Sequence, residues 1–229
     1  FLYNAQTMPK GPSVYTLGQL LLNEIPGAAP IINNFLYEQD HVMLVGKEKS
    51  GKSLLAMQMM CSLTSGEPFL GQFEVKQTCN VVYIQSEGKL ALTKRSLERM
   101  VEVCPYDSES GLILYYPSVA LDVDEQYHSV VRQIESWGKP PKVIILDPLY
   151  QSMAGDMKAD TASKRMCGNL RLLSDKYQCA FVVVHHEHRI KHDKGGGIIM
   201  EGDNSIFGSF VWKAYPDTVL LFEKVRAPD

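Results

Sequence analysis

The stretch Gly46-Lys47-Glu48-Lys49-Ser50-Gly51-Lys52-Ser53 decides the reading of this chain of 229 residues. It satisfies G-x-x-x-x-G-K-[ST] at every fixed position. In such a loop the glycines let the backbone curl, so that successive N–H groups point inward at phosphate oxygens. Lys52 is then placed to reach the β- and γ-phosphates, and the Ser53 hydroxyl to ligate Mg²⁺. The flanks agree. His41-Val42-Met43-Leu44-Val45 reads as a short buried strand, and residues 54–63 read as a helix with Leu54, Leu55, Met59 and Leu63 on a buried face. Residues 46–54, from Gly46 through Leu54, are therefore expected to cradle phosphates at a helix N-terminus, where the dipole favours anions.

Working outward, the bulk numbers set limits. The length suits one large α/β domain with a sizeable core, and the chain is read as a single domain over 1–229, with residues 1–40 leading into the core. Because it begins at Phe1 and not at Met, it is expected to be part of a longer protein. With 23 basic and 26 acidic residues the formal net charge is −3, which offers no bulk electrostatic reason to bind nucleic acid or membrane. The five cysteines contain no CxxC pair and mostly sit in apolar surroundings, so they read as small core residues in a reducing, cytoplasmic compartment. No apolar run approaches a membrane span, and no signal-peptide pattern is present.

Elements alternate along the chain. A short helix is predicted over 14–22, capped by Ser13. Strands are predicted over 80–84, 112–116, 142–146, 179–184 and 218–222, and helices over 90–103, 124–137 and 161–177. Apolar strands alternating with helices imply a twisted, mostly parallel β-sheet covered on both faces. Residues 152–160 and 187–205 read as irregular, the latter containing Gly195-Gly196-Gly197.

The chemistry gathers at predicted strand ends. Val143-Ile144-Ile145-Leu146-Asp147 ends an apolar strand with a carboxylate. Ligands of an open parallel sheet collect beyond such ends, so Asp147 is expected to hold Mg²⁺ together with Ser53. The plainer alternative for Asp147 is a cap or turn residue. Glu87 follows the strand ending at Ile84 and is expected to polarise the water that attacks a γ-phosphate, against the alternative of a solvated carboxylate at a helix start. His185 and His186 end another strand. The pleat should aim one at the nucleotide and its neighbour elsewhere. With His188 and His192 they lack a four-ligand spacing for zinc. Lys224 and Arg226 read either as cations reaching a neighbouring subunit's phosphate or as a solvated basic end. Arg95 is a weaker phosphate candidate. Lys158, Lys164 and Arg165 in one region, and Arg189, Lys191 and Lys194 in another, form local basic loops suited to a nucleic-acid backbone, although surface loops are often charged in any case.

The order of these features resembles the RecA-like P-loop NTPase core. Within it, the chain resembles the RepA-type branch, an AAA-domain family related to hexameric replicative helicases. The resemblance rests on Gly46 to Ser53, on Val81-Val82-Tyr83-Ile84-Gln85-Ser86-Glu87 and on Val143 to Asp147. It continues through Val182-Val183-Val184-His185-His186, Phe207-Gly208-Ser209 with Asp217-Thr218-Val219, and Lys224-Val225-Arg226-Ala227-Pro228. It implies ATP and Mg²⁺ at a subunit interface, a homo-oligomeric ring of six, and single-stranded DNA in a central channel. It also implies that Glu87 activates water, Asp147 organises Mg²⁺, His185 or His186 senses the γ-phosphate, and Lys224 and Arg226 act on the neighbour. Phe207 departs from the pattern, since relatives can carry arginine before the Gly-Ser element.

The leading functional expectation is an ATP-hydrolysing helicase or translocase in DNA replication. A recombinase-like or helicase-loader switch is the alternative, binding DNA or a protein without unwinding. A small-molecule phosphotransferase fits less well, because no arginine-rich lid segment or separate acceptor domain is visible.

Overall fold

The computed structural model describes residues 15–22, 28–187, 191–192, 198–199 and 206–222. Its centre is a six-stranded sheet built from β1 (His41–Gly46), β2 (Val81–Gln85), β3 (Gly111–Tyr115), β4 (Val143–Asp147), β5 (Ala180–His186) and β6 (Thr218–Phe222). The spatial order is β6-β1-β5-β4-β2-β3, and each neighbouring pair is parallel. The inner strands β2 and β4 are buried along their whole length, and β1 and β5 along nearly all of it, which is why they read as continuous apolar runs. The edge strand β6 alternates half-buried and exposed positions.

The helices are α1 (Leu17–Leu22), α2 (Lys52–Ser65), α3 (Leu90–Met100), α4 (Asp124–Trp137), α5 (Asp160–Tyr177) and the short α6 (Val211–Ala214). One face of the sheet packs Val42, Leu44, Tyr83 and Ile145 against Ala56, Met59 and Leu63 of α2, with Leu97 and Met100 of α3 beside them. The other face packs Val45, Ile84, Leu146 and Val183 against Val130 and Ile134 of α4, Met166 and Leu170 of α5, and Trp212 of α6. A small hairpin, Pro30–Ile32 with Leu36–Tyr37, extends the α2 side of the core.

Each predicted strand and helix within the described residues is present, with ends moved by a few residues. The differences have local causes. Helix α1 begins at Leu17, later than predicted, because Thr16 and Gln19 form a reciprocal capping pair: Gln19 N–H donates to Thr16 Oγ1 (3.2 Å) and Thr16 N–H to Gln19 Oε1 (2.9 Å). Ser13, the predicted cap, lies outside the described residues. Helix α2 is not one-sided. It lies against the sheet centre and buries Ala56, Met57 and the whole run Met59–Thr64, whereas Leu54, expected inside, is 50% exposed because it faces an open cavity at the carboxyl edge of the sheet. Residues 149–152 form a single turn of 3₁₀ helix. Of the predicted irregular region 187–205, Lys191–His192 pairs antiparallel with Ile198–Ile199. Among the described residues, no helix is long and apolar enough to cross a membrane.

Two glycines show how tightly the loop is built. Gly51 has φ of 98°, in the left-handed region that costs a side chain strain. A Cβ on Gly46 would lie 2.5 Å from the Phe222 carbonyl oxygen on the adjacent strand. Gly46→Ala should therefore destabilise the protein by about 1–3 kcal/mol, through overpacking against a main-chain atom that cannot rotate away. Gly168 lies inside α5 with nothing within 4 Å of its would-be Cβ. Gly168→Ala should stabilise by about 1 kcal/mol through helix propensity alone. Chemical denaturation of both variants against the wild type checks the opposite signs.

Candidate active site

Strand register assembles the site. Gly46 pairs with His186, and Gln85 pairs with Asp147, so the carboxyl ends of β1, β5, β4 and β2 lie along one edge. Strand β5 sits between β1 and β4, which places its terminal histidine between the phosphate loop and Asp147. A cavity of about 1170 Å³ opens there, lined by Glu48 to Leu54 of the loop and first helical turn, and by Gln85, Glu87, Asp147, Tyr150, His185, His186 and Phe207. Gly46 and Lys47 are not part of that lining, but each contributes a main-chain carbonyl to the site.

Those carbonyls hold the loop lysine. Lys52 Nζ donates to Gly46 O at 2.8 Å and to Lys47 O at 2.6 Å. Burial pushes its pKa down, while the negative charges of Asp147, Glu48, Glu187 and Glu87 oppose the shift. Asp147 is also buried, at 5% exposure. Burial raises its pKa, and hydrogen bonds donated by the Tyr83 phenol and the Ser53 hydroxyl pull it back. Tyr83 belongs to β2 and shares with Asp147 the sheet face that α2 covers, so its phenol meets the carboxylate beneath the loop. The pair Ser53 and Asp147 suits a divalent cation. A hydroxyl and a carboxylate, donor types that would hold such a cation, meet at the start of a helix beside a buried lysine.

Glu87 stands on the turn after β2. Its main-chain oxygen accepts from Gln85 Nε2 at 2.8 Å, and Gln85 Oε1 accepts from Thr93 Oγ1 at 2.7 Å, fixing the turn to α3. Ser86 N–H donates to Asp147 O at 3.0 Å, fixing the same turn to β4. The Glu87 carboxylate is exposed to the cavity and lies within electrostatic reach of Lys52, Asp147 and His186.

The pleat separates the two histidines, as the sequence predicted. His185 turns into the α5 side of the core, fully buried, where its Nε2–H donates to Phe207 O at 2.7 Å and its ring stands 6.4 Å from that of Trp212. His186 turns to the loop side, with its ring edge-on to Tyr150 at 4.9 Å. Burial lowers the pKa of both. For His185 the value falls to about 4, with the nearby His186 and Lys52 adding to the shift and the Phe207 carbonyl opposing it. Among the described residues, no three His, Cys, Asp or Glu side chains cluster as a metal site.

Arg95, Lys158, Lys164 and Arg165 are not part of the cavity lining. Arg95 is exposed on α3, away from the cavity lining. Lys158 lies over the Phe207 ring at 5.6 Å, and Lys164 is exposed on α5. Arg165 is exposed and paired with Asp124 of α4 at 2.8 Å. Lys191 is described only as part of its short strand. Arg189, Lys194, Lys224 and Arg226 lie outside the described residues.

Sequence reasoning missed Tyr83, Gln85 and Tyr150. For the first two a signal existed: Tyr83 and Gln85 share the strand parity of Val81, which places them on one face. Tyr150 gave no such signal, since it stands on an irregular turn.

His185 predicts a pH effect. Its pKa falls from 6.5 to about 4 on folding, so between these values the unfolded chain binds the extra proton and stability drops as pH falls. The loss should approach roughly 3 kcal/mol below pH 4. His185→Gln keeps an N–H for Phe207 O but cannot titrate. Denaturation of both proteins between pH 7 and 4 should show a shallower loss for the variant, and parallel curves would contradict this account.

Comparison with known proteins agrees with this geometry. The family model described as an AAA domain matches residues 12–189. No curated protein matches at significant similarity. Among solved structures, the chain is similar to a KaiC-like protein from the hyperthermophilic archaeon Pyrococcus horikoshii OT3. The identity is 13% and the TM-score 0.52, covering 83% of this chain and 74% of that one, a likeness of fold. With its loop, its strand-terminal aspartate and its parallel sheet, the chain belongs to the AAA-domain family and has a RecA-like P-loop NTPase fold.

Proposed function

We propose that this domain hydrolyses Mg²⁺-bound ATP and uses the cycle as a switch, loading onto DNA or a partner protein without itself unwinding a duplex. The observation that carries the reading is the single cavity in which Lys52, Ser53, Asp147, Glu87 and His186 meet. Ser53 and Asp147 would hold Mg²⁺, which when bound neutralises charge on the phosphates. Lys52 exchanges its two carbonyl partners for phosphate oxygens. Glu87 accepts a proton from the attacking water. The water oxygen bonds to the γ-phosphorus, the bond to the β–γ bridging oxygen breaks, and ADP leaves with that electron pair. His186 faces the same space and is placed to respond to the γ-phosphate.

A translocating, ring-forming helicase is the second reading. It rests on the strand-His-His element and on the Lys224-Val225-Arg226 ending, whose cations would reach a neighbouring copy's phosphate. The basic residues expected to line a DNA channel support it less, since Arg165 is engaged with Asp124.

The test is ATP turnover with and without single-stranded DNA. Lys52→Ala should abolish turnover. Glu87→Gln should retain ATP while slowing hydrolysis by at least about 100-fold. Turnover indifferent to DNA supports a protein-directed switch. Strong stimulation by DNA with strand displacement supports the motor, and wild-type turnover in Glu87→Gln removes that residue from the chemistry.

A further inference from the structure

Tyr150 has a place in the fold that its surroundings do not require. It sits on the 3₁₀ turn Leu149–Ser152, just after the strand that ends in Asp147. Its neighbour Leu149 and the turn's last residue Ser152 are completely buried, while Tyr150 itself stays 36% exposed and forms part of the cavity wall. Its ring therefore remains accessible to groups in the cavity.

The turn is tied to the segment that carries Glu87. Ser86 Oγ and Ser152 Oγ meet at 2.6 Å, and both lie within hydrogen-bond distance of Pro148 O, at 3.2 and 3.0 Å. The two hydroxyls are buried, so this clip is shielded from water and holds the Glu87 turn and the Tyr150 turn in fixed relation. Across it, the Tyr150 phenol and the Glu87 carboxylate line the same cavity and interact electrostatically, with the Gln151 side chain beside the phenol. The ring edge rests on His186, with centroids 4.9 Å apart and planes at 61°, which limits rotation of the phenol away from Glu87.

An exposed carboxylate on a turn samples several rotamers. Proton abstraction from a water in line with a phosphorus atom needs one of them, held before the reaction begins. We propose that Tyr150 is a positioning residue that aims Glu87 at the attacking water. The proposal rests on the reading of Glu87 as the group that takes the water's proton. Tyr150 acts through Glu87 and carries no proton of the reaction itself.

The experiment is a double-mutant cycle on ATP hydrolysis with Tyr150→Phe, Glu87→Gln and both together, with binding of a fluorescent ATP analogue measured in parallel. Tyr150→Phe keeps the ring and removes the donor. It should lower kcat about tenfold, the scale of one lost hydrogen bond to a charged group. KM and analogue affinity should stay within about twofold. In the Glu87→Gln background the same change should alter the residual rate by less than about twofold, because the group it positions is already disabled. Tyr150→His, which keeps a ring N–H donor, should stay closer to the wild type than Tyr150→Phe. A wild-type rate in Tyr150→Phe, or an equal drop in both backgrounds, would overturn the positioning role while leaving Glu87 in place. Wild-type turnover in Glu87→Gln alone would instead remove the reading of Glu87 itself, and this proposal with it.

Discussion

Gly46 lies beside His186 and Gln85 beside Asp147 because the strands between them run parallel and in step. Parallel strands need crossover connections, and each crossover returns the chain to the far edge, so all the strand ends with chemistry in them emerge on one side. The site depends on this alignment. A residue of slip in β4 would turn Asp147 to the opposite face of the sheet, away from α2 and the phosphate loop. Continuous burial of the inner strands specifies the register, since few of their positions tolerate water.

Charge is stored at this edge in compensated form. Lys52 and Asp147 are each buried to 5% exposure, and an isolated ion there would carry a heavy desolvation cost. Lys52 is held by two main-chain carbonyls, and Asp147 by a phenol and a hydroxyl. These partners are polar but uncharged. Under the proposed function, a phosphate and its cation would replace them without breaking an ion pair. His185 contributes differently. It is neutral, bonded to Phe207 O and buried in the core, and so it joins the end of β5 to the segment entering α6.

Much of this was legible in the residues alone. The phosphate loop, the alternation of strand and helix, the strand-terminal Asp147 and the split between His185 and His186 follow from local pattern and from the two-residue period of a strand. These features are encoded by neighbours in sequence, and the structure places them where the pattern implied. Leu54 was misread because helical periodicity does not show which apolar position faces an open cavity. The pairing of Arg165 with Asp124 was not legible, because the two are far apart in sequence and lie on different helices.

The sequence by itself determined that a glycine loop would follow an apolar strand and open a helix, that one carboxylate would end a further strand, and that another would closely follow a third. Backbone freedom at glycine, apolar runs and helix polarity are short-range properties, and residue order states them directly. Only the tertiary structure decided which of those strand ends would be neighbours. It inserted β5 between β1 and β4, brought the Tyr83 phenol beneath Asp147, and clipped the Tyr150 turn to the Glu87 turn through Ser86 and Ser152. The physical reason is that strand order is settled by which faces bury best against α2, α4 and α5 together, a sum over contacts distant in the chain that no local window contains.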